Sequence, residues 1–219
     1  MRLIFATNNM HKFSEIVEIL GEKYKDFVFV MKDLGININP DENGNSFIEN
    51  SKIKAIALYD EMKKNNLIKP CDYIISDDTG LCIDYLNGAP GIHSARFMGI
   101  NKTQEEKNNM ILEMMNDVEM DRRKAFFKTV LTVIEVGNNI NEKYKLLNFE
   151  GQVDGYIAKK NTGSEGFGYD PIFAVGDPID NLIIDNTYAN LGLKEKNKIS
   201  HRAVALNKFT QYLEKNHNI

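Results

Sequence analysis

Two aspartates stand side by side at Asp77 and Asp78, directly behind the apolar run Tyr73-Ile74-Ile75 and just ahead of Thr79-Gly80. Adjacent carboxylates held in a crevice repel each other unless a cation or hydrogen-bond donors stabilise them. Mg²⁺ needs only one or two such carboxylates, because it takes oxygen ligands and keeps waters and substrate phosphate oxygens for the rest. On an extended backbone the two side chains point to opposite faces, so one is expected as the primary ligand and the other as support for the loop. The alternative is an Asx-type turn with solvated acids. Glu42, in Pro40-Asp41-Glu42-Asn43-Gly44, is a third acid, either completing a metal site with Asp78 or sitting in an ordinary loop.

Three further stretches carry groups suited to an anionic or planar ligand. Thr7-Asn8-Asn9-Met10-His11-Lys12 lies between an apolar strand pattern and a helical one. A helix starting there offers backbone N–H groups, a positive dipole end and the Lys12 charge to phosphate. It lacks the spaced glycines and Lys-Ser/Thr pair of a Walker loop, and the same residues also suit a plain turn capped by Thr7 or Asn8. In Gly163-Ser164-Glu165-Gly166-Phe167-Gly168-Tyr169-Asp170-Pro171, glycines on both sides of Phe167 let the backbone approach a ligand and turn a ring toward a base, or simply bury it. Lys196, Ser200, His201 and Arg202 place four donors within seven positions at the start of the last helical pattern. They suit an electron-rich ligand, or else a Ser200 cap with solvated neighbours.

These stretches need elements to hold them. Leu3-Ile4-Phe5-Ala6 reads as a buried strand, followed by a helix with Phe13, Ile16, Val17 and Leu20 on one face and a stop at Gly21. Ser46-Phe47-Ile48-Glu49 is a capping-box pattern opening a second helix, with Phe47, Ile53, Ile56, Ala57 and Met62 expected on its buried face. The pair Asp77 and Asp78 falls where two extended segments meet. Residues 102–116 predict a helix whose methionines fill core, residues 127–136 and 144–157 predict long strands, and a last helix is expected from about Ser200. Alternating helices and strands early, with a strand-rich middle, give an α/β class with a mixed sheet.

Composition narrows the field. With 27 Lys+Arg against 31 Asp+Glu the net charge is −4, so no global positive field gathers nucleic acid. Cys71 and Cys82 match neither a zinc spacing nor a disulfide framework, the N-terminal apolar stretch is too short for a signal peptide, and no run reaches the roughly 18–20 apolar residues of a membrane span. A cytoplasmic protein without nucleic-acid or membrane partners is expected. No H-E-x-x-H and no G-x-S-x-G occurs. The inventory of oxygen ligands, lysines, an arginine and an aromatic ring favours phosphate chemistry assisted by a metal.

Taken together and in order, S-D-D-T-G-L, G-A-P-G-I-x-S-A-R at 88–96, G-F-G-Y-D-P-I-F and I-S-H-R resemble the inosine triphosphate pyrophosphatase family, over nearly the whole chain. The resemblance implies one two-lobed domain over residues 1–219. It further implies an elongated mixed β-sheet flanked by helices, with the active site in the cleft between lobes that close on nucleotide, and a homodimer. By the same resemblance Asp78 is the catalytic acid and metal ligand, Glu42 joins the Mg²⁺ site, and Thr79 contacts substrate. Thr7, Asn8, Asn9, Met10, His11 and Lys12 match the phosphate-side loop. Phe167, Gly168, Tyr169, Asp170, Lys196, His201 and Arg202 match the nucleotide-binding set, with Phe167 stacking on the base. Many members carry Gly where this chain has Asn8, and the Asn-rich connection at 137–143 looks like a peripheral hairpin extension. The implied reaction is hydrolysis of ITP, dITP or XTP to the monophosphate and pyrophosphate. Two other readings stand beside it. One is a pyrophosphatase for other aberrant nucleotides, resembling the septum-inhibitor family, and the other is a nucleotide sensor that no longer hydrolyses.

Overall fold

Leu3, Ile4 and Phe5 are buried on both sides of β1 (Arg2–Phe5), which is why this strand is apolar without alternation. In the computed structural model, which describes residues 1–99, 101–176 and 186–217, β1 lies parallel to both of its neighbours, β2 (Val28–Val30) and β3 (Asp72–Ile83). The sheet continues through β4 (Lys124–Glu135), β5 (Lys145–Ile157) and the short β6 (Phe173–Ala174), in the order β2-β1-β3-β4-β5-β6. Because β5 and β6 pair antiparallel, the sheet is mixed.

Five α-helices accompany it among the described residues: α1 (Met10–Tyr24), α2 (Phe47–Lys64), α3 (Gln104–Met114), α4 (Leu193–Ile199) and α5 (His201–His217). The chain divides into two compact units. The first comprises 1–78, 129–151 and 203–219, the second 79–128 and 152–202. Strands β3, β4 and β5 each contribute residues to both.

In the first unit, the two-residue period of β1 sorts its side chains between two layers. Leu3 and Phe5 pack with Ile16 and Leu20 of α1 and with Leu206, Phe209 and Leu213 of α5. Ile4 packs with Ala55, Leu58, Tyr59 and Met62 of α2. The second unit has its own core, where Leu81 and Ile83 of β3 meet Phe127, Ile157, Phe173, Ile111 and Met115. No helix of the described residues is long and apolar enough to cross a membrane.

Several expected details differ. The first helix does break at Gly21, whose φ of 64° is non-helical, but its cap is Asn9 and neither Thr7 nor Asn8. The Asn9 side chain accepts from the His11 and Lys12 amides, and Thr7 Oγ1 accepts from the Asn9 amide. Asn8 does not adopt a left-handed backbone. On α2 only Met62 of the expected face is fully buried. The inner face instead carries Asn50 and Ser51 beside Ala55, Leu58 and Tyr59. Ser51 can sit inside because its hydroxyl accepts from the Thr132 amide and bonds with Ser76. Ser46 Oγ accepts from the Glu49 amide, while the Glu49 carboxylate takes the amide of Asn45, so the reciprocal bond falls one residue earlier than in a capping box. Of the methionines expected to fill core around α3, Met115 just past its end is buried, Met110 is half-buried and Met114 is exposed. Residues 137–143 connect the neighbouring strands β4 and β5, as a hairpin extension does.

Candidate functional site

Asp77 and Asp78 lie in the middle of one continuous strand, since β3 runs unbroken from Asp72 to Ile83. The expected meeting of two extended segments is therefore absent, and so is the Asx-type turn. Both carboxylates are withdrawn from water, at 5% and 6% exposure. Their placement on alternate faces shows in their partners. Lys12 Nζ donates to Asp77 Oδ2 at 2.9 Å, whereas Lys54 of α2 approaches Asp78 Oδ1 at 3.5 Å. The same Lys54 ammonium donates to Glu42 Oε2 at 3.0 Å, so one cation ties the loop acid to the strand acid.

The electrostatics follow from this packing. Burial pushes the Asp78 carboxyl above the usual range; Glu42 and Asp77 push it the same way, with Lys54 and Lys12 opposing them. Burial works against the Lys54 charge, yet Asp77, Asp78 and Glu42 outweigh it and hold its pKa above the ordinary value. The cluster is thus three carboxylates compensated by two ammonium groups. Lys54 lay outside every sequence pattern, because a lysine in a helix ordinarily reads as solvated. Only the buried polar face of α2 explains its placement.

At the other end of the phosphate-loop candidate, Thr7, Asn8 and Met10 line a pocket with Val30, Lys32, Ile36 and Asn37, and His11 is exposed. Because the Asn9 side chain satisfies two of the helix N–H groups, this loop is not a set of bare amides, and its one ammonium group, Lys12, donates to Asp77.

The second unit gathers the remaining candidates. Arg202 at the head of α5 is buried, and its Nη2 donates to Thr79 Oγ1 at 3.4 Å, one residue along the chain from Asp78. Lys196, on the short helix α4 that was not anticipated, pairs with Asp170 at 2.5 Å, with both side chains almost fully buried. Asp170 Oδ2 also accepts from the Phe167 amide at 2.8 Å. A side chain at Gly166 would meet that carboxylate oxygen at 2.2 Å, so the glycine is what lets the bond form. Gly166 and Gly168 both have positive φ, 77° and 65°, and between them Phe167 is half-buried. Lys196 Nζ stands 4.9 Å and Arg202 Cζ 6.0 Å from its ring centre. The His201 ring stacks on Phe127 at 4.6 Å and 15°, with Tyr188 beyond; neither aromatic was singled out from the sequence.

Tyr169 is a different case. Its ring belongs to the core of the second unit, its hydroxyl donates to the Ser94 carbonyl at 2.9 Å, and burial pushes its pKa up to about 12. Its carbonyl accepts from the Ile172 and Phe173 amides, so the residue ties the turn to the strand that follows. The 88–96 motif also has a structural account. Ser94 Oγ accepts from the Leu81 amide and donates to the Gly91 carbonyl, and a Cβ on Gly80 would stand 2.2 Å from that carbonyl oxygen. Arg96 contacts His93. The motif is a turn laid against β3 just past Asp78 and Thr79.

Among the described residues no group of three or more His, Cys, Asp or Glu is arranged to hold a metal. Glu42 and Asp78 nonetheless fit a hard divalent cation. They are oxygen donors that already share one cation, the Lys54 ammonium, and such an ion takes few protein ligands when phosphate and water supply the rest.

A cluster of acids and lysines in the first unit and an aromatic ring flanked by Lys and Arg in the second are groups of the kind that α/β proteins of the nucleotide-binding class use. The sequence pattern of the Ham1 family matches residues 3–212, and the chain belongs to that family. A dITP/XTP pyrophosphatase of Caldanaerobacter subterraneus subsp. tengcongensis is 44% identical over 215 residues, covering 98% of this chain and 97% of that protein. The dITP/XTP pyrophosphatase of Bacillus subtilis is 39% identical over 211 residues, 96% of each. The solved structure of the Staphylococcus aureus Ham1 protein superposes with a TM-score of 0.76 at 33% identity, covering 98% of this chain and 99% of that one.

Proposed function

We propose that this protein is a Mg²⁺-dependent nucleoside triphosphate pyrophosphatase that hydrolyses non-standard purine triphosphates, ITP, dITP and XTP, to the monophosphate and pyrophosphate. The observation that carries the reading is the cluster of buried Asp77 and Asp78 with half-buried Glu42, Lys12 and Lys54, next in the chain to a threonine bonded to Arg202. The relatives' printed activity supports the substrate class.

Glu42 and Asp78 are the residues that would hold the cation, which when bound neutralises charge on phosphate oxygens and acts as a Lewis acid. Lys12 and Lys54 add positive charge for the triphosphate and for the pyrophosphate that leaves. Asp78, held above the usual carboxyl range by burial, accepts a proton from the attacking water. That water bonds to the α-phosphorus as the bond to the β-bridging oxygen breaks. Phe167 supplies the stacking ring. Arg202 and His201 meet the 6-keto oxygen, and adenine, with an amino group there, leaves a buried donor unpaired. Thr79, Asp170 and Lys196, together with the backbone of Gly168 and Tyr169, complete the substrate set. Thr7, Asn8, Asn9, Met10 and His11 frame Lys12 on the phosphate side.

The same reading makes the enzyme a cytosolic homodimer that binds neither nucleic acid nor membrane. Its two free cysteines and net charge of −4 are in keeping with that. Light scattering on the purified protein tests the assembly, with a monomer mass contradicting it. The activity is tested by pyrophosphate release from ITP, dITP, XTP, GTP and ATP with Mg²⁺, and kcat/KM is expected about 10²-fold or more higher for ITP than for ATP. ATP turned over as fast as ITP contradicts the base reading, and binding of ITP with no release contradicts the enzyme.

A further inference from the structure

We infer that Asn108 of α3 is a positioning residue for base recognition, holding the glycine-flanked turn that carries the Phe167 ring. This rests on the reading of Phe167 as the surface on which a purine stacks. Asn108 lies outside every motif of the sequence, yet it is 2% exposed. Its Nδ2 donates to the Gly168 carbonyl at 3.1 Å, while its Oδ1 accepts from Gln104 Nε2 at 2.9 Å. The Gly168 carbonyl sets which end of the amide faces the turn, since an amide reversed would bring oxygen against oxygen, and the Gln104 bond agrees with that orientation.

A Gly-Phe-Gly segment does not set its own conformation, because each glycine has a wide choice of φ and ψ. Its shape is imposed from outside. Asp170 holds the Phe167 amide from one side, but Asp170 and its partner Lys196 belong to the set proposed to meet the nucleotide. Asn108 grips the other side from a helix with no proposed substrate contact. The same helix steadies the neighbouring turn, since Lys107 Nζ donates to the Ala95 carbonyl at 2.7 Å. With the adjacent Tyr169 hydroxyl on Ser94 and Ser94 on the Leu81 amide, α3 supports the base-side turn and the 88–96 turn within one unit.

A residue that orients the stacking ring acts on substrate binding and base choice, and leaves phosphate cleavage alone. The test compares Asn108→Leu, which has similar volume and no donor, Asn108→Asp, which has the same shape with an acceptor facing the carbonyl, and Gln104→Leu, which removes the orienting partner together with a side-chain bond to Tyr169 of the same turn. In the first two, KM for ITP rises about tenfold, the equivalent of one hydrogen bond, with kcat changed by no more than about twofold. The ratio of kcat/KM for ITP over ATP falls in parallel. Gln104→Leu, at a half-buried position, shows a smaller change in the same direction and carries the test alone if the Asn108 variants do not fold. An unchanged ITP-to-ATP ratio, or a loss confined to kcat, overturns the inference while wild-type turnover of ITP leaves the function standing. A wild-type protein that cleaves no purine triphosphate overturns the function and this inference with it.

Discussion

Asp78 is held where its charge is disfavoured by burial and by two neighbouring acids, and Lys54 and Lys12 oppose that cost. Sites built for function store such electrostatic cost. Asp78→Asn removes the charge and keeps the shape, so kcat for ITP is expected to fall about 10³-fold. The melting temperature of the metal-free protein should hold or rise by a few degrees, and a calorimetric scan beside the rate assay checks both. Lys54→Met has the opposite signature. Removing the ammonium shared by Glu42 and Asp78 leaves a mostly buried set of acids, at a cost of about 2–3 kcal/mol in urea unfolding. Added Mg²⁺ should restore part of it by meeting the same carboxylates. At this scale the sequence revealed the acids and Lys12, whose types and spacing suffice to suggest a metal and a phosphate. Lys54 and Asn108 stayed hidden because nothing in a helical pattern tells a buried polar side chain with a partner from a solvated one.

Among the elements, β3 departs most from what local chemistry suggests. Ser-Asp-Asp-Thr-Gly is turn composition, yet the strand continues because Gly80, lacking a Cβ, admits the Gly91 carbonyl, while Ser94 Oγ accepts from the Leu81 amide. Tertiary packing here overrides turn propensity. Gly80→Ala sets a methyl group 2.2 Å from that oxygen, and the expected loss is about 1–3 kcal/mol by urea denaturation, with activity falling because Asp78 and Thr79 are displaced. Helix α1 gives a milder case. Asn9→Ala removes the acceptor for two amides and should cost about 1 kcal/mol. The starts of α2 and α5, the break at Gly21 and the long strands β4 and β5 were legible from capping residues, glycine placement and β-branched composition, whereas the Asn9 cap of α1 and the short helix α4 were not. The face of α2 was not, because its interior is partly polar and its bonds to β3 and β4 lie far off in sequence.

For the molecule as a whole, the division into two units does not follow a linker. Strands β3, β4 and β5 each pass from one unit to the other, which explains why no composition shift marked a boundary. Units that share strands lose their partners together, so unfolding followed by circular dichroism and by tyrosine fluorescence should give coincident curves. Separated transitions would contradict the prediction. Attack of water on the α-phosphorus of a non-standard purine triphosphate can be read from where an isotope label appears in the products. With ITP and Mg²⁺ in ¹⁸O-water, equal amounts of IMP and pyrophosphate are expected, with the label in IMP. Inosine diphosphate with inorganic phosphate, or label in the pyrophosphate, would contradict it.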